Sequence, residues 1–151
     1  MKVLTILQPF ATLIAIGEKN FETRGWKTSY RVDLLIHAGK GKVYMDLCDR
    51  EPFKSILKKH GYNNKNNLPM GKIIAKVCLR CCIYISKDLE DSAEIGWDGI
   101  TIEGNEYEFG DYTAGRYVWE LTDLEKFKEP ISVRGQQRLW NFNYSQYLIQ
   151  S

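Results

Sequence analysis

The sequence predicts an α+β fold, a mixed β-barrel with short helices set into it, and three observations carry that expectation. Four segments alternate apolar and polar residues with the period of a strand. Only two segments have helical spacing. Strands and helices do not take turns along the chain, which argues against a doubly wound parallel sheet. At 151 residues, 44% of them hydrophobic and 26% charged, the chain fits one domain over residues 1 to 151, with a core that needs neither disulfide nor metal.

Val3 to Leu7 reads as a short strand. Pro9 then takes a first helical position, where a missing N–H is harmless. Phe10, Leu13 and Ile14 have the spacing of a buried helical stripe, and Gly17 is placed to end that helix in the left-handed region. Residues 20 to 24 follow as an extended run, with Phe21 and Thr23 on one face and Glu22 and Arg24 on the other. From Arg31 to His37, Val32, Leu34 and Ile36 alternate with Arg31, Asp33 and His37, while Leu35 interrupts the polar side as in a partly covered sheet.

A helical region over residues 43 to 60, broken or restarted at Pro52, turns Phe53, Ile56 and Leu57 inward and stops at Gly61. Residues 62 to 67 have the composition of an exposed loop. The strongest strand signal comes next: Ile73, Ala75, Val77, Leu79, Cys81, Ile83 and Ile85 form one apolar face of period two, opposite Lys72, Lys76 and Arg80. Residues 86 to 111 are acidic and glycine-bearing, with a short strand or hairpin expected at 100 to 108. Tyr117, Trp119 and Leu121 mark a further core strand.

The net charge of +2 conceals an asymmetry. Residues 1 to 80 carry 15 Lys+Arg against 6 Asp+Glu, and residues 81 to 151 carry 6 against 13, giving +9 and −7. Either the halves attract one another across the fold, or the first half offers a basic face to a polyanion. No apolar run is long enough for a membrane helix. Gln8-Pro9 interrupts the apolar N-terminal stretch, and four cysteines without framework spacing fit reduced thiols, so a cytoplasmic location and no membrane partner are expected. Nothing in the sequence fixes the oligomeric state, and a monomer is the default.

Cys78-Leu79-Arg80-Cys81 contains a C-x-x-C, but in a regular strand residues three apart point to opposite faces, so no metal site is expected there. With only His37 and His60 in the chain, a catalytic triad has little material. The conspicuous polar cluster is Gly17-Glu18-Lys19-Asn20-Phe21-Glu22-Thr23-Arg24. Its plain reading is a surface ion pair. Enclosed in a cleft, Glu22 would hold Lys19 charged for an oxyanion while Arg24 took a phosphate or carboxylate in bidentate fashion.

Gly17, Lys19, Glu22 and Arg24 match the G-x-K-x-x-E-x-R pattern of the ASCH family, which the chain resembles over roughly residues 3 to 142. Gln8-Pro9-Phe10-Ala11 is similar to the family's opening strand-to-helix turn, and Tyr30-Arg31 with Ile36-His37-Ala38 to its next strand. The segment from Gly110 to Trp119 is similar to the entry of its later core strand, and Gly135-Gln136-Gln137-Arg138-Leu139-Trp140 to its closing motif. The resemblance implies a PUA-like mixed β-barrel with flanking short helices and a cleft that takes RNA or a nucleotide. Members divide into ribonuclease-like hydrolases, small amidohydrolases acting on acylated cytidine, and modules that bind RNA or a modified base without turnover. The amidohydrolase branch carries threonine where this chain has Glu22, so the hydroxyl proposed as its nucleophile is absent here.

On that reading Lys19, Glu22 and Tyr112 are the catalytic candidates. Gln8, Arg24, Trp26, Tyr30, Arg31, His37, Arg116 and Trp140 are the candidates for holding RNA or ligand, by stacking or by phosphate contact. Packing accounts equally well for Trp26, Tyr30 and Trp140, and a structural hydrogen bond for His37. No cofactor is required. Mg²⁺ on Glu22 and Asp111 stays open.

Overall fold

A computed structural model describes residues 1–150. The chain is of the α+β class, as expected. Strand β1 (Lys2–Ile6) leads into helix α1 (Phe10–Ala15), and strands β2 (Phe21–Arg24) and β3 (Asp33–Ala38) follow. A 3-10 turn (Met45–Asp49) and helix α2 (Phe53–Lys59) divide the expected helical region on either side of Pro52. Strands β4 (Lys72–Asp88), β5 (Ser92–Ile95) and β6 (Ile100–Glu103), helix α3 (Gly104–Glu108), strands β7 (Tyr117–Ser132) and β8 (Leu139–Asn141), and helix α4 (Tyr144–Gln150) complete it.

The eight strands form one mixed sheet in the order β2-β7-β4-β3-β1-β8, with β5 and β6 as a hairpin continuing from the far end of β4. Only β1 and β3 run parallel; every other pairing is antiparallel. Among the described residues no ladder closes the sheet on itself, but its two ends approach one another around one core. Trp26, just past β2, and Leu139 of β8 pack on the same buried cluster, and the Arg138 guanidinium lies 4.2 Å over the Trp26 ring. The shape is barrel-like without closing hydrogen bonds.

The central position of β3 explains a departure from the sequence expectation. Its neighbours are β1 and β4, and a hydrophobic cluster covers each face: Leu34 and Ile36 belong to one, Leu35 to the other. Both sides of the strand are buried, His37 included, whereas Val32 lies before the strand and is exposed. The covering of the second face comes from β8 and from α4, a helix the periodicity did not reveal.

Strand β4 departs further. Its ladder with β7 slips between Ile73 and Ala75, between Lys76 and Cys78, and between Leu79 and Cys81, so the unbroken period-two face does not form. A slip can exchange the faces of the residues beyond it, and the first and last of these do. Ile73 thus packs in a different cluster from Ala75, Val77 and Leu79, and beyond the last bulge it is Cys82, rather than Cys81, that packs against the Leu79 cluster. Cys81 instead donates its thiol to Glu120 Oε2 at 3.0 Å. Burial and that carboxylate push its pKa up to about 11. The parity argument separating Cys78 from Cys81 loses its basis, because a bulge lies between them.

The acidic region also folds earlier than expected: the hairpin spans residues 92 to 103, and residues 104 to 108 are the helix α3, entered through Gly104 at φ 64°. Part of the charge asymmetry is resolved across the β4–β7 ladder, where Lys76 pairs with Glu125 at 3.4 Å and Arg80 with Glu120 at 3.6 Å. No helix among the described residues is long and apolar enough to cross a membrane.

Candidate functional site in the cleft between β1 and β2

Helix α1 is buried from Ala11 to Ala15 and is terminated at Gly17, whose φ of 83° is open to glycine and strained for other residues. The turn this permits folds Glu18 and Lys19 back so that both backbone N–H groups bond the Leu13 carbonyl at 3.0 Å. Lys19 is therefore driven inward, and its side chain is wholly buried. Its Nζ donates to the Phe109 carbonyl at 2.5 Å, sits 3.7 Å from Glu22 Oε1, and lies 5.6 Å over the Phe10 ring. Burial lowers the Lys19 pKa, against the opposing pull of Glu22 and Glu106.

Strand β2 pairs with β7 and presents Glu22 and Arg24 on one face, as the alternation predicts. Glu22 bridges the cluster. Its Oε1 accepts the Thr23 N–H at 3.0 Å, and its Oε2 accepts from Arg24 Nη2 at 3.0 Å. The same Arg24 nitrogen donates to the Thr5 carbonyl at 3.0 Å, tying β2 to β1 across the gap in the sheet. On the far side of the gap Arg116 Nε donates to the Asp111 carbonyl at 3.1 Å and lies 3.6 Å from the Asp111 carboxylate. Thr23 Oγ1 accepts the Asp111 N–H at 3.0 Å, holding that loop against β2.

These groups surround a cleft of about 700 Å³, whose lining includes Glu22, Arg24, Trp26, Arg116, Phe10 and Tyr44. Lys19 does not line it; Glu22 stands between Lys19 and the open space. Tyr112 is also behind the wall, buried in the cluster around the β5–β6 hairpin, with its hydroxyl unpartnered and its pKa raised by burial and then by Glu106 and Glu22. Trp26 packs edge-on to Trp119 at 4.7 Å.

Other sequence candidates lie elsewhere. Gln8 is fully buried, with its amide nitrogen donating to Thr12 Oγ1 and the Pro69 carbonyl and its oxygen accepting the Thr12 N–H, so it anchors α1. Tyr30 donates to the Asp33 carbonyl and packs on the main core, and Arg31 folds onto the Thr28 and Tyr30 carbonyls. Trp140 is buried and donates to Thr5 Oγ1 at 3.0 Å. His37 shares that hydroxyl: its Nδ1 is 3.2 Å from Thr5 Oγ1 and its Nε2 is 2.8 Å from the Val133 carbonyl. An Nε2–H tautomer satisfies all three groups. Burial lowers the His37 pKa.

Glu106 escaped the sequence reading. From α3 it accepts the Asn20 N–H, and burial raises its pKa against the pull of that bond and of Lys19. Its second oxygen is buried without a partner, as is Arg24 Nε. Nothing in an acidic stretch of 13 carboxylates after residue 80 distinguishes this one. Among the described residues, no group of three or more His, Cys, Asp and Glu side chains is arranged to hold a metal ion.

The comparisons with known proteins bear on the fold and the family. A structure described as ASCH from Zymomonas mobilis aligns at TM-score 0.56 and 15% identity, covering 99% of this chain and 93% of that one. A serine-to-alanine mutant of that protein aligns at TM-score 0.53 and a tyrosine-to-phenylalanine mutant at 0.54, each at 15% identity over 99% of this chain, covering 94% and 96% of those chains. At that identity the likeness speaks for the fold. No curated protein matches the chain. The model of the ASCH domain matches residues 4–131, which includes the end of β1, the buried Lys19–Glu22 pair, the cleft and most of β7, and the chain belongs to the ASCH domain family.

Proposed function

We propose that this domain binds single-stranded RNA and seats one unpaired nucleoside in the cleft between β1 and β2. The observation that carries this reading is the joint presence of aromatic rings, Trp26 and Tyr44, with a carboxylate and a guanidinium, Glu22 and Arg24, in one cavity of about 700 Å³. A nucleobase needs flat apolar contact and, at its edge, both a donor and an acceptor. Glu22 and Arg24 offer the pair, already oriented by their mutual bond and by Thr5 and Thr23. Arg116 adds a cation at the rim.

Titrating a labelled RNA decamer of mixed sequence at low salt tests the reading. Wild type binds, and Trp26→Ala and Arg24→Ala each lose about ten-fold in affinity, the worth of roughly one stacked base or one charged hydrogen bond. Absence of binding by wild type, or wild-type affinity in both variants, would overturn it.

A second reading, hydrolysis of the bound RNA, is favoured by the buried Lys19–Glu22 contact of 3.7 Å. Of the two, Glu22 borders the cleft and is the group able to take a proton from a ribose 2′-hydroxyl as that oxygen attacks phosphorus, giving a 2′,3′-cyclic phosphate while the departing 5′-oxygen takes a proton from water. Lys19 is then a positioning residue that supplies the counter-charge, and Tyr112 acts only through the wall. Incubating excess mixed RNA or acylated cytidine with the protein, with and without Mg²⁺, separates the readings: no product in either case leaves the binding module.

A further inference from the structure

A second cleft, of about 640 Å³, lies across β1 from the first and shares Thr5 and Leu7 with it. Thr5 is the common wall. Its carbonyl accepts from Arg24 of the first cleft, and its side chain meets His37 of the second. The wall is one strand thick, on the order of 5 Å.

The two cavities differ in charge. The first is lined by three carboxylates, Glu22, Glu108 and Asp111, against two guanidiniums, each of which already pairs with one of those acids. A phosphate gains little there. The second is lined by Lys40 and Arg134 and by no carboxylate. Both cations are exposed, and neither makes an ion pair or hydrogen bond among the described residues. The loop carrying Arg134 adds backbone donors, since the N–H groups of residues 134 to 137 make no backbone hydrogen bond among the described residues. That loop is pressed onto the ends of β1 and β3. A Cβ on Gly135 would stand 2.7 Å from His37 Cε1 and 2.9 Å from Thr5 Oγ1, so only glycine lets the chain pass so close.

We propose that this second cleft is a phosphate subsite for the same RNA strand, whose backbone crosses Thr5 and Leu7 while the adjoining nucleoside occupies the first cleft. The proposal rests on the reading of the first cleft as a nucleoside site, and it divides the work: base recognition on one side of β1, charge neutralisation on the other. Lys40 comes from the positive half of the chain and Arg134 from the acidic half, so the fold gathers the two cations without a positive floor beneath the base.

The test compares wild type with the double variant Lys40→Ala/Arg134→Ala, using the RNA decamer, an unphosphorylated nucleoside and inorganic phosphate as probes. Removing two phosphate contacts should cut decamer affinity about ten-fold at low salt and flatten the dependence of log K on log salt by about 1.4, the increment for two contacts to a single strand. Nucleoside binding should not change. In amide spectra of wild type, inorganic phosphate should shift residues 134 to 137 and Lys40, and the double variant should lose those shifts. If the decamer affinity and salt slope of the folded variant match wild type, or phosphate shifts nothing in that loop, the subsite does not exist. If wild type fails to bind the nucleoside while the decamer result holds, the first-cleft reading falls and the subsite stands.

Discussion

Replacing Lys19 with methionine keeps most of the side-chain volume and removes the ammonium. Its side chain is fully buried and its partner Glu22 nearly so, so what remains is a carboxylate with Arg24 as its one remaining cation, a Phe109 carbonyl without its donor, and a Glu106 that has lost an opposing charge. Removing one member of a buried pair costs roughly 3–5 kcal/mol. With a urea m-value of about 2 kcal/mol per M, the unfolding midpoint should fall by roughly 1.5–2.5 M at pH 7. The pH dependence has a definite sign. Burial already raises the Glu106 pKa above its ordinary 4.5, and Lys19 opposes that rise. Without Lys19 the folded state binds a proton more readily still, so the deficit is full at neutral pH and shrinks as pH falls through the raised folded value towards 4.5. A double-mutant cycle with Glu22→Gln isolates the pair, and the double variant should be less unstable than the sum of the singles. A loss below about 1 kcal/mol at pH 7, or strict additivity, would refute the claim that a buried ion pair holds this wall.

Two further outcomes follow from particular residues. Cys81→Ser should change stability by less than about 0.5 kcal/mol, because serine also donates to Glu120, whereas Cys82→Ser places a hydroxyl against the core and should cost about 1 kcal/mol or more; urea denaturation of both variants decides it, and the reverse order would restore the unbroken alternation. For His37, burial depresses the pKa below the ordinary 6.5, so its contribution is full above that value and lost as pH falls below it; in His37→Gln the stability profile between pH 6.5 and 5 should be flatter than in wild type, and an unchanged slope by thermal or urea unfolding would count against the neutral, doubly bonded imidazole.

The limits of the sequence reading follow from what alternation can encode. A period of two reports a face only while the ladder stays in register, and β4 slips three times against β7. The apolar residues beyond each slip continue the pattern by type, since Ile73, Ile74 and Ala75 are all apolar, yet they divide between clusters on opposite faces. Cys81 and Cys82 are the case where the error matters, because adjacent identical residues leave composition indifferent to which one turns inward. Strand β3 fails in the other direction. His37 reads as polar and therefore outward, but Thr5 and Val133 supply both of its nitrogens with partners, which makes its burial tolerable. Such compensation comes from segments 32 and 96 residues away and leaves no local signature.

The segment from Gly17 to Arg24 was legible because its geometry is local, whereas Gln8, Tyr30, Arg31, His37 and Trp140, also read as ligand-holding candidates, do not line this cleft. Gly17 sets the turn, Lys19 falls inward two residues later, and strand parity then places Glu22 and Arg24 together. What local order could not assign was the division of labour. Lys19 has the charge that a phosphate would seek, but the turn that Gly17 allows delivers it to the Phe109 carbonyl, and Phe109 follows directly on α3. Glu106, on the same helix, closes the Asn20 backbone. A short helix ninety residues downstream of Lys19 thus decides that the lysine is enclosed and that the carboxylate faces the cleft. A lysine already bonded and buried cannot reach a ligand without breaking its own bonds, whereas Glu22 and Arg24 border the cleft, so in the proposed function it is that pair that meets the ligand while the lysine supplies charge from behind it.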